Sequence, residues 1–240
     1  MDLLFFDLDG TLLNSQSEIS NFTHETLVKL KLNNIAYSAA TGRTMLTGTN
    51  ILRGHGFQLP QVYSNGVTIW DPRNNSLNLE NLLGSSEISI ITEAAGLQGI
   101  TSFVHAVNES EYFIYHAKLR HDIEKELINA HYQNTKANIM SLDKLTDMSQ
   151  VTNVSMIGIA EAVEEVQKEL NKNRNLVSYS GPAIESSSYK WMDIHHCKAS
   201  KGAAVKKIKD TLGATNLICF GDSDNDLSMF RISDESYAPA

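Results

Sequence analysis

An α/β protein built on a doubly wound parallel sheet, with an α+β module inserted into it, is the fold class that three features of the sequence predict. Short apolar runs alternate with segments of helical period at both ends of the chain, as strands joined by crossover helices do. These runs stop at polar residues flanked by glycine, in Asp7-Leu8-Asp9-Gly10, Thr41-Gly42, Ser64-Asn65-Gly66 and Gly221-Asp222. Between Leu83-Gly84 and Gly181-Pro182 the style changes to helices mixed with a hairpin-like pair of strands. The division that follows is 1–82 for the first part of the sheet domain, 83–184 for the inserted module and 185–240 for the second part.

Leu3-Leu4-Phe5-Phe6 has the length and unbroken apolar character of a strand covered on both faces. A polar loop follows Thr11. Leu27, Val28, Leu30 and Leu32 then give a helix over 22–32, which Asn33-Asn34 stops. A second strand is predicted over 35–40, a helix over 45–52 and a short strand over 62–64. In the insert, helices over 87–97, 119–132 and 161–172 alternate with strands over 102–107, 112–116, 151–159 and 176–180. Asn108-Glu109-Ser110-Glu111 reads as the turn of a hairpin between the first two of those strands. Ala203, Val205, Ile208 and Leu212 mark an amphipathic helix starting near Ser200-Lys201. A strand over 216–220, a short helix with Leu227, Met229 and Phe230, and a last strand over 235–238 complete the chain.

With 240 residues, 42% hydrophobic and 20% charged, the chain has the composition of a soluble globular protein with a sizeable core. Its formal charge of -8 argues against a general nucleic-acid or acidic-membrane binder, which needs a basic face. Anionic substrates stay compatible, because a local cluster of Lys, Arg and metal can dominate a site. The two cysteines form no disulfide framework or zinc spacing; Cys219 lies in an apolar run and Cys197 reads as a spectator. No apolar stretch approaches the roughly 18–20 residues of a membrane span, and the acidic start leads straight into a core strand, unlike a signal peptide. A cytoplasmic location is the default expectation.

Asp7 and Asp9, spaced i, i+2 at the end of the first strand, would point to one side of a regular strand. There they would lie in the crevice where open α/β sheets bind ligands. Two anions so close repel each other unless a cation sits between them. Hard oxygen donors suit Mg²⁺, which would also screen a phosphate. One carboxylate can then attack phosphorus while the other handles the proton. Thr41, Lys201 at a helix start, and Asp222 with Asn225 and Asp226 fall at the same sheet edge. A hydroxyl, an ammonium and backbone N–H groups are the fixed donors that a transferring phosphoryl group needs. Gly10, Gly42 and Gly221 permit close backbone approach beside them. The acidic loop Gly221-Asp222-Ser223-Asp224-Asn225-Asp226 lacks the spacing and terminal glutamate of an EF-hand.

Asp7-Leu8-Asp9-Gly10-Thr11, Thr41, Lys201 and the 221–226 loop together resemble the four motifs of the haloacid dehalogenase (HAD) superfamily. Ala40-Thr41-Gly42-Arg43, Ser64-Asn65-Gly66 and Ser200-Lys201-Gly202 further resemble its Cof-type subclass, IIB. The resemblance spans nearly the whole chain and is strongest outside the insert. It implies a Rossmann-like core with an α+β cap inserted between the second and third motifs. It also implies Asp7 as nucleophile, forming an aspartyl-phosphate, and Asp9 as general acid and then base, with its backbone carbonyl on Mg²⁺. Asp7 and Asp222 would supply side-chain metal ligands, and Asp226 would stand behind them or reach the metal through water. Thr41, Gly42 and Lys201 would hold the phosphoryl group, and Asn225 would fix both it and Lys201.

The function implied is Mg²⁺-dependent hydrolysis of small phosphorylated metabolites, sugar phosphates first, with pyridoxal phosphate and flavin mononucleotide as further possibilities. The protein would act as a monomer or homodimer, without nucleic-acid or membrane partners. Transfer of the phosphoryl group to a second alcohol is the alternative within enzymes. A receiver-type signalling module, which also gathers acids, Thr and Lys around Mg²⁺, is usually about half as long and lacks the D-x-D-G-T pattern. A catalytically dead binding protein is the third alternative. Three departures from the subclass stand out: His195 and His196 where a proline is frequent, Arg43 as either a phosphate contact or a structural ion pair, and an end at Pro239-Ala240 where relatives usually continue.

Overall fold

The structure, a computed structural model, describes residues 1–108, 111–133, 135–183 and 188–239. The chain forms two compact units, Met1–Glu80 with Ala199–Ala240, and Asn81–Lys198. The first unit opens with β1 (Asp2–Phe6), α1 (Asn21–Leu32), β2 (Ala36–Ala39), α2 (Met45–Leu52), β3 (Gln61–Tyr63), β4 (Thr68–Asp71) and β5 (Ser76–Leu79). The second holds α3 (Ser85–Leu97), β6 (Phe103–Asn108), β7 (Glu111–His116), α4 (Asp122–Leu127), β8 (Asn138–Ser141), β9 (Val151–Ile159), α5 (Ala160–Leu170), β10 (Leu176–Pro182) and β11 (Tyr189–His196). The chain then returns to the first unit with α6 (Lys201–Leu212), β12 (Asn216–Phe220), α7 (Leu227–Phe230) and β13 (Glu235–Tyr237).

The first unit contains a parallel sheet in the order β13-β12-β1-β2. The chain moves outward from β1 in one direction through β2, then returns to fill the other side with β12 and β13. The switch in direction therefore falls between β1 and β12, where the carboxyl ends of the strands open a crevice. Successive residues of β1 feed two separate cores, which explains its unbroken apolar run. Leu3 and Phe5 pack with Val205 and Ile208 of α6 and with Leu217 and Cys219 of β12. Leu4 and Phe6 pack with Leu27 of α1, Leu52 of α2 and Tyr37.

In the first unit two details differ from the sequence expectation. In α1 only Leu27 is buried and Leu30 partly so, while Val28 and Leu32 face solvent. Beyond Tyr63 the chain forms an antiparallel three-stranded sheet, β3-β4-β5, which reading by periodicity did not anticipate. Its β4–β5 turn uses Asn75 in the left-handed region at φ 54°, and Trp70 Nε1 donates to Asn75 Oδ1 at 3.1 Å. The half-exposed residues of β5 carry little apolar signal. A single parallel bridge, Ala40 to Val62, joins β2 to β3.

The second unit is a six-stranded sheet, β10-β11-β9-β6-β7-β8, antiparallel except between β7 and β8. One face buries Val104, Ala106, Val154, Met156, Met192 and Ile194 against Ile91, Ala95, Val163 and Val166 of α3 and α5. The return to the sheet domain, expected at 185, comes after Lys198 instead, because β11 pairs with β9 and β10 inside this unit. The alternation Met192-Asp193-Ile194-His195 sends two polar side chains to the face opposite that core, so the stretch reads as a loop. The expected boundary 184/185 itself, the turn residues Glu109 and Ser110, and the terminal Ala240 lie outside the described residues. Asn108 and Glu111 on either side of that turn do pair antiparallel. The helix expected over 119–132 is shorter, with α4 passing into a wider turn through Tyr132.

Glu124 of α4 is fully buried and accepts four hydrogen bonds. The donors are the Thr101 amide at 2.8 Å and hydroxyl at 2.9 Å, the Arg120 amide at 2.6 Å and the His121 amide at 3.1 Å. One carboxylate thus fixes both the start of α4 and the chain leading into β6. Glu124→Ala strands several of these donors and is expected to destabilise the protein by about 3 kcal/mol, read by urea unfolding; an unchanged midpoint would show that Glu124 does not hold this corner.

His105 of β6 and His195 of β11 are also buried, so His195 sits within the second unit's sheet. The His195 Nδ1–H donates to the His196 carbonyl at 3.1 Å, and His105 Nε2 shares a hydrogen bond with Ser155 Oγ at 2.8 Å. Burial pushes both imidazoles down to about 4. The unfolded chain, with histidines near 6.5, binds more protons between those values, so stability is full above about pH 6.5 and falls as pH drops toward 4. Urea midpoints at pH 7 and pH 5 should differ more in the wild type than in His105→Gln, and equal differences would remove His105 from this acid sensitivity.

Candidate active site

Every residue singled out for chemistry belongs to the first unit. Lys201, the first residue of α6, has its Nζ 2.6 Å from Asp7 Oδ1 and 2.6 Å from Asp226 Oδ1, with no exposed side-chain surface. α6 starts where it does because the Ser200 hydroxyl caps it, accepting the Ala203 amide at 3.1 Å. Asp226 is fully buried, and its second oxygen accepts the amides of Asp222 and Ser223, each at 3.0 Å. Asp222 is exposed and is steadied by the hydroxyls of Thr11 at 3.1 Å and Ser223 at 3.2 Å. Carboxylate oxygens of Asp7, Asp222 and Asp226 all lie within 4.8 Å of one another.

Asp7 follows β1 directly, and its amide continues the ladder to the Phe220 carbonyl at 2.9 Å. Its carboxyl is raised to about 6 as the net of three effects: burial, the largest, raises it, the Lys201 ammonium lowers it, and the nearby Asp226 carboxylate raises it. A regular strand would have put Asp9 beside it. The chain instead leaves the strand in a tight turn over Leu8–Leu12, with Gly10 at φ 79°. A Cβ at Gly10 would lie 2.3 Å from Asp222 Oδ2, so glycine is required there for close approach. Asp9 is thereby separated from the acidic cluster and meets Arg43 in a two-pronged ion pair, Nε to Oδ2 at 2.6 Å and Nη2 to Oδ1 at 2.5 Å. Of the two roles open to Arg43, the structure shows the ion pair.

Thr41 is buried, and its hydroxyl accepts the Arg43 amide at 3.1 Å. Asn225, which the resemblance implied would fix Lys201, makes no hydrogen bond to it in this structure. Its Nδ2 donates to Asn65 Oδ1 at 3.0 Å, while its Oδ1 is buried without a hydrogen-bond partner. The bridge lies beneath Gly42, whose added Cβ would stand 3.2 Å from Asn65 Oδ1 and 3.5 Å from Asn225 Nδ2. Thr11 and Asn65 are the contributors that sequence reasoning left without a role. A D-G-T turn and an N-G turn announce their backbone shapes, not the distant partners of their side chains.

Three carboxylates and one ammonium leave this pocket with an excess of negative charge and an all-oxygen donor set. That chemistry fits a hard divalent cation such as Mg²⁺. Asp7 and Asp222 are the side chains suited to contact it, since Asp226 is buried and tied to the Lys201 ammonium and two backbone amides, whereas Asp222 is exposed and meets only two hydroxyls.

A buried carboxylate restrained by a lysine, beside acids at the switch point of a parallel sheet, is the equipment of phosphoryl-transfer hydrolases. Residues 4–239 match the haloacid dehalogenase-like hydrolase family, and the chain belongs to that family. It is 23% identical over 231 residues to a 5-amino-6-(5-phospho-D-ribitylamino)uracil phosphatase of Bacillus subtilis, covering 95% of this chain and 80% of that one. It is 24% identical over 231 residues to the HMP-PP phosphatase of Cronobacter sakazakii, with the same coverage. Among solved structures it resembles a haloacid dehalogenase-like hydrolase from B. subtilis, with a TM-score of 0.78, 21% identity, and coverage of 99% of this chain and 89% of that one. It also resembles a HAD subclass IIB sugar phosphatase, with a TM-score of 0.75, 18% identity, and coverage of 100% and 94%. Among the described residues, no helix is long and apolar enough to cross a membrane.

Lys201→Met removes the cation shared by two buried carboxylates. Its expected effect at pH 7, in EDTA, is a loss of about 3–5 kcal/mol in urea unfolding. Wild-type stability in that variant would show that Asp7 and Asp226 do not depend on the ammonium.

Proposed function

We propose that this enzyme hydrolyses phosphate monoesters of small metabolites with Mg²⁺, through a phosphoryl group carried transiently on Asp7. The observation that carries the reading is the placement of Asp7, buried at the carboxyl end of β1, 2.6 Å from the Lys201 ammonium and within the acidic cluster. An oxygen of Asp7 attacks phosphorus, the bond to the leaving oxygen breaks, and Asp9 gives that oxygen its proton. Asp9 then takes a proton from water, the water oxygen attacks phosphorus, and the bond to Asp7 breaks to release inorganic phosphate. Mg²⁺, held by Asp7, Asp222 and the Asp9 carbonyl with Asp226 behind them, would supply charge neutralisation at the transferring phosphoryl oxygens. Thr41, the Gly42 backbone and Lys201 hold those oxygens in place. Arg43 fixes the direction of the Asp9 carboxylate.

Support for a small-metabolite substrate comes from the relatives, whose names specify a phosphoribitylaminouracil, HMP-PP and a sugar phosphate. Sugar phosphates are the first class to test, then pyridoxal phosphate and flavin mononucleotide. The second unit, Asn81–Lys198, lies in the chain between Thr41 and Lys201, where the resemblance implies a cap, and is assigned the choice of leaving group.

Phosphate release from a panel of such esters, with Mg²⁺ and with EDTA, tests the reading. Metal-dependent release from at least one of them is expected, and its absence throughout from folded protein refutes it. Asp7→Asn should abolish release, by about 10⁴-fold or more, with the fold intact by circular dichroism. Asp9→Asn should leave a phosphorylated protein about 80 Da heavier in intact mass, because the second proton transfer fails; release at the wild-type rate would remove Asp9 from acid–base chemistry.

A further inference from the structure

Ser64-Asn65-Gly66 is a buried turn whose first two residues both hold the left-handed backbone, at φ 46° and 54°. Two consecutive non-glycine residues in that region are unfavourable, and such strain persists where surrounding contacts over-determine it. The contacts here reach three separate parts of the site. The Ser64 amide donates to the Arg43 carbonyl at 2.9 Å, and the Asn65 amide to the Thr41 carbonyl at 3.1 Å. The Asn65 side chain accepts the Asn225 Nδ2 at 3.0 Å. Gly66, at φ 102°, would place a Cβ only 2.2 Å from the Ser200 carbonyl, one residue before Lys201. The turn therefore braces the loop of Thr41, the loop of Asn225 and the start of the Lys201 helix at once.

We infer that Asn65 is a positioning residue for the phosphoryl site, fixing the Asn225 amide beneath Gly42 so that the Thr41 and Asn225 loops keep a single relative placement. This rests on the phosphatase reading above. An asparagine suits the position because it tolerates the left-handed backbone and still offers an acceptor. The acceptor consumes one Nδ2 proton of Asn225, and that fixes which way its amide faces.

The test is a double-mutant cycle on Mg²⁺-dependent hydrolysis of the best ester in the panel. Asn65→Gly preserves the backbone and deletes the acceptor. It should lower kcat/KM about tenfold, mostly in kcat, the loss of one well-placed hydrogen bond, while Tm stays within about 3 °C. In an Asn225→Ala background the same change should cost no more than about twofold, because the partner it acts through is gone. An unaffected Asn65→Gly, or a full tenfold loss in both backgrounds, overturns the inference alone. No turnover by the wild type overturns the phosphatase reading, and the inference with it. Should Asn65→Gly fail to fold, Asn65→Asp carries the test, since it keeps the acceptor. Its kcat should stay within about fivefold while KM rises from the added negative charge, and a hundredfold fall in kcat overturns the bridge.

Discussion

The interaction on which the rest depends is the buried ammonium of Lys201, shared between Asp7 and Asp226. Taking a lysine out of water is unfavourable unless its charge is met at close range, and two carboxylates at 2.6 Å meet it. Those carboxylates need the lysine equally, because each would otherwise be a buried anion. The three residues come from different parts of the chain: the end of β1, the start of α6 and the loop after β12. The ion triad thus pins together the first and last segments of the unit at the place where chemistry is proposed.

The parallel sheet makes that meeting possible. β1 pairs with β12 over its full length, so the residues that follow each strand emerge side by side at the switch in strand order. The two cores on either side of β1 lock the strand against slipping in register. A one-residue slip would carry Leu3 and Phe5 to the side of Leu4 and Phe6, and would move Asp7 off Lys201. Rigidity in the apolar strand is therefore the source of precision in the polar site. The acidic loop after β12 is ordered in turn by Asp226, which accepts two of the loop's own amides.

Much of this was legible in the sequence because the chemistry-bearing residues sit at element ends, where glycines and polarity interrupt clear apolar runs. Asp7, Thr41 and Asp222 announce themselves in that way, and Lys201 follows from its place at a helix start. β11 was not legible, since Asp193 and His195 alternate with the apolar residues of a strand that has polar groups on its second face. The burial of Glu124 was equally hidden, as two of its four donors are local, from Arg120 and His121, and the other two come from Thr101, brought to it only by folding. Asn65 shows the same limit at the site. An Asn-Gly pair after a strand declares a turn, but the partner 160 positions away is fixed by tertiary structure.

Asp7 and Asp9 are two residues apart, yet the fold gives them opposite surroundings. Asp7 is buried, held by lysine and raised toward neutrality by desolvation, whereas the Asp9 side chain is about half exposed and held by arginine. The turn that begins at Leu8 separates them by leading the chain out of the strand before Asp9 can join the acidic cluster. Such a divergence is how one short segment can serve two roles in one reaction. A proposed nucleophile needs a fixed position and exclusion of bulk water, and the first environment provides both. A proposed proton carrier has to exchange with a leaving group and then with water, which only an accessible carboxylate can do. The D-x-D spacing therefore matters less as a pair of metal ligands on one strand face than as a means of placing two like groups on opposite sides of a solvent boundary.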